Sequence, residues 1–246
     1  MSKMINNIVK LLIPRAYFPF TMFPYPYRGE PYAVQSGEDN GLPFCEYAGK
    51  RVYFPSGMTR EQVEWCFRVY LEDEGLTGLG RRTRSPHCYV TENHRPDEND
   101  VIVDIGASEG FFTRGFIEEA RRAVLIETED KWQGPESLTF KAFPDKVEII
   151  AQCLERIDIP KKSDDESFFI KMDIEGAEVG VLESSKDFLT SNRCKISCCV
   201  YHRRTDAKVI ERILRAYGYS TEFSRGVMIP YGAKWPRKGV IYGRNY

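Results

Sequence analysis

No stretch of the sequence approaches the roughly 20 consecutive apolar residues that a membrane-spanning helix requires. The nearest, Ile8 to Ile13, is broken by Lys10 and halted by Pro14. A secretory cleavage pattern is also missing, so a cytoplasmic location is expected. The seven cysteines, at 45, 66, 88, 153, 194, 198 and 199, form no Cys-x-x-Cys pair. That spacing excludes a zinc ribbon, and the odd number speaks against a disulfide framework. Cys194, Cys198 and Cys199 fall in one apolar run and read as small buried core residues of a reduced protein. An excess of either charge is absent too: 35 Lys+Arg stand against 36 Asp+Glu, a formal net charge of −1. No broad positive field is available to nucleic acid or to an anionic membrane, and small or neutral substrates are favoured. What remains, 246 residues with 42% hydrophobic and 29% charged side chains, is enough to bury a core without disulfides in one soluble globular unit.

The first 98 residues read differently from the rest. Residues 14 to 32 hold five prolines and seven aromatics, which forbids a long helix and predicts an extended segment wrapped on the remainder. Its aromatics pack on the domain or offer flat faces to a sugar ring. Residues 1–13 carry apolar positions suited to a short amphipathic helix for a partner or a peripheral membrane contact. Phe44 to Tyr47 and Arg51 to Phe54 flank Gly49-Lys50 as a hairpin, and Thr59-x-x-Gln62 is a capping box that opens a helix to about Glu74. This N-terminal extension is expected to cap the acceptor side of a second domain, residues 99–246.

From Asp100 the rhythm changes to short apolar runs alternating with amphipathic stretches, the pattern of βαβ units and a mostly parallel sheet. Five core strands are expected at Val101 to Ile105, Ala123 to Ile126, Val147 to Ala151, Phe168 to Met172 and Lys195 to Tyr201, with closing strands at Tyr219 to Phe223 and Gly239 to Gly243. A helix follows the fifth strand, with Asp206 as its N-cap and Gly218 at its stop.

The first strand runs into Asp104-Ile-Gly106-Ala-Ser108-Glu109-Gly110 at the start of a helix. Glycines there let a ligand approach the backbone while the helix offers free N–H donors. A dinucleotide loop would read Gly-x-Gly-x-x-Gly; this one carries Glu109, whose carboxylate repels a pyrophosphate. It suits a ligand with a cationic amino-acid end, and S-adenosylmethionine has one together with a positive sulfonium. The second strand ends in Glu127, at the position that holds a ribose diol in nucleotide-binding α/β folds. Gln152 and Cys153, after the third strand, are where an adenine ring would sit. The fourth strand runs into Asp173, Glu175, Gly176 and Glu178. Ligands of open α/β sheets bind beyond the carboxyl ends of the strands, so Asp173 and Glu175 should face the cleft.

On Asp104 to Gly110, on Glu127, and above all on Lys171-Met-Asp-Ile-Glu-Gly-Ala-Glu178 followed by His202, the sequence resembles the FkbM-type family of class I S-adenosylmethionine-dependent methyltransferases. The resemblance covers roughly Asp100 to Gly243. Ser108 stands where an asparagine is common, and Thr128 follows Glu127 in place of the frequent proline. The resemblance implies an α/β, Rossmann-like sheet of seven strands with the last antiparallel, and methylation of a hydroxyl, frequently on a sugar. His202 is then the expected general base, oriented by Asp173, because it alone of the three histidines ends a core strand. Asp173, Glu175 and His202 also offer ligands to a divalent ion, but no dense cluster compels one and no metal is expected. Two other readings use the same pocket: methylation of nucleic acid 2′-hydroxyls, which the missing cationic excess disfavours, and a binding module without turnover.

Overall fold

Every residue of Asp100–Ile105, Ser167–Met172 and Cys194–Cys199 is buried. Runs apolar on both faces belong at the centre of a sheet covered on two sides. The computed structural model describes residues 20–23, 32–74, 85–230 and 233–246. The expectations for residues 1–13 and for most of the proline-rich segment therefore lie outside the described residues.

In chain order the elements are β1 (Phe20–Phe23), β2 (Gln35–Asp39), β3 (Leu42–Tyr47), β4 (Lys50–Tyr53) and α1 (Arg60–Asp73). Then come β5 (Asp100–Ile105), α2 (Phe111–Phe116), β6 (Arg122–Glu127), α3 (Gln133–Thr139), β7 (Val147–Ala151) and β8 (Ser167–Met172). The chain closes with α4 (Glu178–Ser184), α5 (Lys186–Ser191), β9 (Cys194–Cys199), α6 (Asp206–Ala216), β10 (Ser220–Phe223), β11 (Val227–Pro230) and β12 (Val240–Arg244).

Seven strands form one sheet in the order β10-β12-β9-β8-β5-β6-β7. The strands from β7 to β9 pair in parallel, and β12 is antiparallel to both β9 and β10. The chain winds from β5 outward through β6 to β7, then returns to β8 on the other side, which makes the β5–β8 boundary the switch point where a crevice opens at the carboxyl edge. This is the class I methyltransferase sheet, with its last strand antiparallel as expected.

The N-terminal unit is a three-stranded antiparallel sheet, β2-β3-β4, with α1 against it. The Thr59 side chain accepts from the Gln62 N–H at 3.3 Å and the Gln62 side chain accepts from the Thr59 N–H at 2.7 Å, the reciprocal capping box. Val63, Cys66, Phe67 and Leu71 share one helical face and pack with Cys45, Val52, Phe54 and with Phe111 of α2, so this unit shares a core with the large sheet.

Three local details differ from expectation. Helix α6 has Thr205 at its N-cap position rather than Asp206; Asp206 is its first residue, and its side chain accepts from the Arg203 N–H at 2.6 Å. Its end is as expected: Gly218 has φ +87°, its N–H donates to Arg215 O and that of Tyr219 to Leu214 O, which is a Schellman motif. Strands β2 and β11 were not anticipated, since Gln-Ser-Gly-Glu-Asp has no apolar alternation and four residues are too few to show one. Strand β11 pairs antiparallel with β1 outside the main sheet.

Candidate active site

The turn from β5 to α2 is held by its backbone geometry. Gly106 has φ +76°, and a Cβ there would lie 2.0 Å from the carbonyl oxygen of Asp173, so only glycine lets the loops after β5 and β8 touch. Gly110, at φ +75°, precedes α2 and would place a Cβ 2.5 Å from the ring of Phe140. Glu127 ends β6 with one carboxylate oxygen accepting from the Ser108 N–H at 2.9 Å and the other from the N–H groups of Thr128 and Glu129 at 2.7 and 2.9 Å. Beneath the loop, Lys171 pairs with Asp104 at 3.0 Å and donates to Gly106 O at 2.5 Å, while Thr113 donates to the other Asp104 oxygen at 2.8 Å. Burial opposes the Lys171 charge, but Asp104, Asp173 and Glu74 outweigh it and hold the ammonium protonated.

The crevice at the switch point is a cavity of about 490 Å³, within the usual range for a small-molecule site. Gly106, Ser108, Glu109, Glu127, Gln152, Cys153, Asp173 and Glu175 all line it. Asp104 and Gly110 are not among its lining residues; Asp104 is completely buried and acts through Lys171, and Gly110 serves the turn. One wall, of Thr128, Glu129, Lys131 and Trp132, follows β6; the opposite wall brings Tyr70 of α1 and Glu74 at its C-cap together with His87, Tyr89, Phe111 and Tyr201. The Tyr70 and Phe111 rings meet at 5.0 Å between centroids. Burial raises the Glu109 carboxyl to about 7, and its Oε2 has no hydrogen-bond partner. A buried acceptor left open on a cavity wall is a place for a ligand's cationic donor.

Asp173 is the hub of the far end. Its Oδ1 is 2.8 Å from Nε2 of His202; its Oδ2 accepts from the Tyr89 hydroxyl at 2.8 Å and lies 3.3 Å from Nε2 of His87. Burial works to raise its pKa, but the hydrogen bonds from His202 and His87 prevail and hold it well below the usual carboxylate range. His202 also approaches Glu178 at 3.3 Å and, through Nδ1, Glu175 at 3.4 Å. Burial disfavours its charge, yet its bonds to Asp173 and Glu175 and the nearby negative charges push it up to about 10.

Two consequences depart from the sequence reading. His202 is not among the residues that line the cavity, and the carboxylates around it favour its charged form, which opposes its taking up a proton from an acceptor. Asp173, Glu178 and His202 converge within 4.8 Å, a spacing that could hold a metal ion, and they bond to one another there. The residue missed is His87, which lines the cavity beside Asp173. It sits in an irregular segment ahead of the first core strand, where no strand-end rule points to it; the only signal was a histidine set among Pro86, Cys88 and Tyr89.

The family model described as a methyltransferase FkbM domain matches residues 47–221, and the chain belongs to the FkbM methyltransferase family. Members of that family are methyltransferases whose methyl donor is in general S-adenosylmethionine. The match begins at the last residue of β3, upstream of Asp100, and so takes in β4 and α1. The chain is similar to a methyltransferase FkbM from Methylobacillus flagellatus KT, at 20% identity and a TM-score of 0.46, over 74% of this chain and 54% of that one. The chain thus spans about half the length of that relative. It is also similar to an rRNA methylase from Streptococcus thermophilus, at 12% identity and a TM-score of 0.43, over 61% and 89% of the two chains. A precorrin-6y C5,15-methyltransferase from Geobacter metallireducens GS-15 shares 17% identity with a TM-score of 0.40, over 61% and 83%. No protein of curated function matches the sequence. Among the described residues, no helix is long and apolar enough to cross a membrane.

Proposed function

We propose that the protein is an S-adenosylmethionine-dependent O-methyltransferase acting on a hydroxyl of a sugar or glycoconjugate in the cytoplasm. The observation that carries the donor is the buried, unpartnered Glu109 Oε2 on the cavity wall, with the Glu127 carboxylate turned to the same hollow. These groups fit the donor's cationic amino-acid end and its ribose diol respectively, while Gln152, Cys153 and Trp132 offer the adenine a rim. When bound, the donor supplies an activated methyl group on a positive sulfonium. Gly106 keeps the backbone close, Glu127 orients the diol, and Asp173 and Glu175 add negative charge at the reacting end.

The acceptor side is both aromatic and polar: Tyr70, Phe111 and Tyr201 offer flat faces, and Glu74 and Tyr89 offer hydrogen bonds. A sugar ring, with apolar faces and polar edges, suits that wall. Burial raises the Glu74 carboxyl well above its usual range, against the opposing pull of the Lys171 charge. Because Tyr70 and Glu74 come from α1 and its C-cap, the N-terminal part contributes to acceptor choice. The experiment is titration calorimetry with S-adenosylmethionine, S-adenosylhomocysteine and NAD, followed by transfer of labelled methyl to a panel of glycans and to RNA. Binding of the first two ligands only, with label on a glycan, is expected; NAD binding would refute the donor, and label on RNA alone would refute the acceptor.

A further inference from the structure

The connection from β11 to β12 carries charge of one sign. Residues 223–246 hold no Asp or Glu but five basic side chains, Arg225, Lys234, Arg237, Lys238 and Arg244, in a chain whose formal net charge is −1. Arg225, Lys234 and Lys238 are exposed and, among the described residues, form no ion pair. Between the two lysines lies Trp235, 65% exposed, with Pro236 exposed beside it. It is the most exposed large hydrophobic side chain among the described residues. An exposed aromatic alone means little; one set among unneutralised cations describes a surface of definite chemistry.

The base of this connection is held by hydrogen bonds on two sides. The backbones of Met228 and Arg237 exchange two bonds of 2.7 Å, and the Ala233 N–H donates to Pro230 O at 2.9 Å. Arg237 Nη1 donates to the carbonyls of Tyr201 and His202 at 2.7 and 2.6 Å, which ties the segment to the chain just after β9. A Cβ at Gly239 would lie 2.0 Å from Pro86 O, so the chain also presses on the residue before His87. Tyr201 and His87 both line the cavity, so Trp235 and its lysines are fixed close to that wall.

Cations around one amphipathic ring suit the boundary of an anionic bilayer. Indole rings settle at the headgroup level, and each Lys or Arg near the surface adds attraction to anionic lipid. Single-stranded nucleic acid would take the cations too, but it lies along grooves where successive bases stack on several aromatic faces, and here there is one. We propose that the segment 233–238 docks the protein on an anionic lipid surface, with Trp235 entering the headgroup layer and Lys234 and Lys238 meeting the lipid charges. Arg237 keeps its bonds to the Tyr201 and His202 carbonyls, so docking fixes how the neighbouring cavity wall stands to the membrane. This surface needs neither methyl donor nor turnover and is independent of the function proposed above.

The test sediments the full chain with sucrose-loaded vesicles, of phosphatidylcholine alone and with about 30% phosphatidylglycerol, at low salt and at about 0.5 M NaCl. Binding is expected to the anionic vesicles only, and should weaken about tenfold or more at the higher salt. Trp235→Ala, and Lys234→Gln together with Lys238→Gln, should each weaken it by about tenfold or more. A second measurement stands apart from the folding of those variants: lipid brominated near the headgroup should quench the tryptophan emission of the wild type. Trp235→Phe should remove that quenching, although Trp65 and Trp132 remain. Equal binding to the neutral vesicles, binding to neither, or binding and quenching that the variants leave unchanged overturns the proposal. So does binding of a single-stranded oligonucleotide in place of the vesicles.

Discussion

Replacing Lys171 with methionine should cost more than any surface change, for reasons that the geometry makes explicit. The Lys171 side chain is 7% exposed and Asp104 is completely buried, with 3.0 Å between the charges. Methionine fills the lysine's stem but leaves the Asp104 carboxylate facing no cation, and Gly106 O loses its donor. Breaking one partner of a buried pair costs about 3–5 kcal/mol. For a chain of this size each kcal/mol shifts Tm by roughly 2–4 °C, which amounts to roughly 6–20 °C. Urea unfolding followed by tryptophan fluorescence measures the loss. Adding Asp104→Asn removes the stranded charge while keeping an acceptor for Thr113, so the double variant should be more stable than Lys171→Met alone. A loss below about 1 kcal/mol for Lys171→Met, or strict additivity in the double variant, would refute the assignment of this pair as the support of the loop.

Gly106→Ala should bind S-adenosylhomocysteine at least tenfold more weakly by calorimetry, because its Cβ meets the Asp173 carbonyl oxygen at 2.0 Å and the left-handed backbone costs a further ~1–2 kcal/mol. Burial raises Glu136 from 4.5 to about 8, so its contribution to stability is complete below about pH 4.5 and is lost as the pH rises through 8. Glu136→Gln should therefore lose less stability than the wild type between pH 5 and pH 9, read from urea midpoints. His202, raised from 6.5 to about 10, contributes stability that is full below about pH 6.5 and fades through pH 10, so His202→Gln should be most destabilising at the acid end of that window and nearly neutral above it. Tyr89→Phe removes a hydrogen bond to the ionised Asp173 and should cost about 1.5–3 kcal/mol in the same unfolding assay.

The fold was legible wherever burial left a periodic trace. Strands β5, β6, β7 and β8 have burial on both faces or a clear apolar run, and the structure has them within a residue or two of their expected bounds. The capping box at Thr59 was equally readable, since it depends on two side chains at fixed spacing. Sequence spacing could not show that β2 and β11 exist, because pairing between strands of no distinctive pattern is decided by their partners. In the site, residues at strand ends were brought together as topology requires: Gly106, Glu127 and Asp173 meet because β5, β6 and β8 are neighbours. What a linear reading lacks is depth. Asp104, Glu127 and Glu109 look alike as acidic residues near one loop, yet the first is sealed beneath it and the others face the hollow. His202 looks like a base by position, and only the structure brings around it the three carboxylates that favour its charged form.

The central claim is that the acidic hollow at the β5–β8 switch point holds the methyl donor. Calorimetric titration of S-adenosylhomocysteine into the wild type and into Glu127→Ala tests it most directly. One molecule should bind per wild-type chain, and the variant should lose at least tenfold in affinity. Equal affinity for the two proteins, or no heat of binding to the wild type, would contradict it.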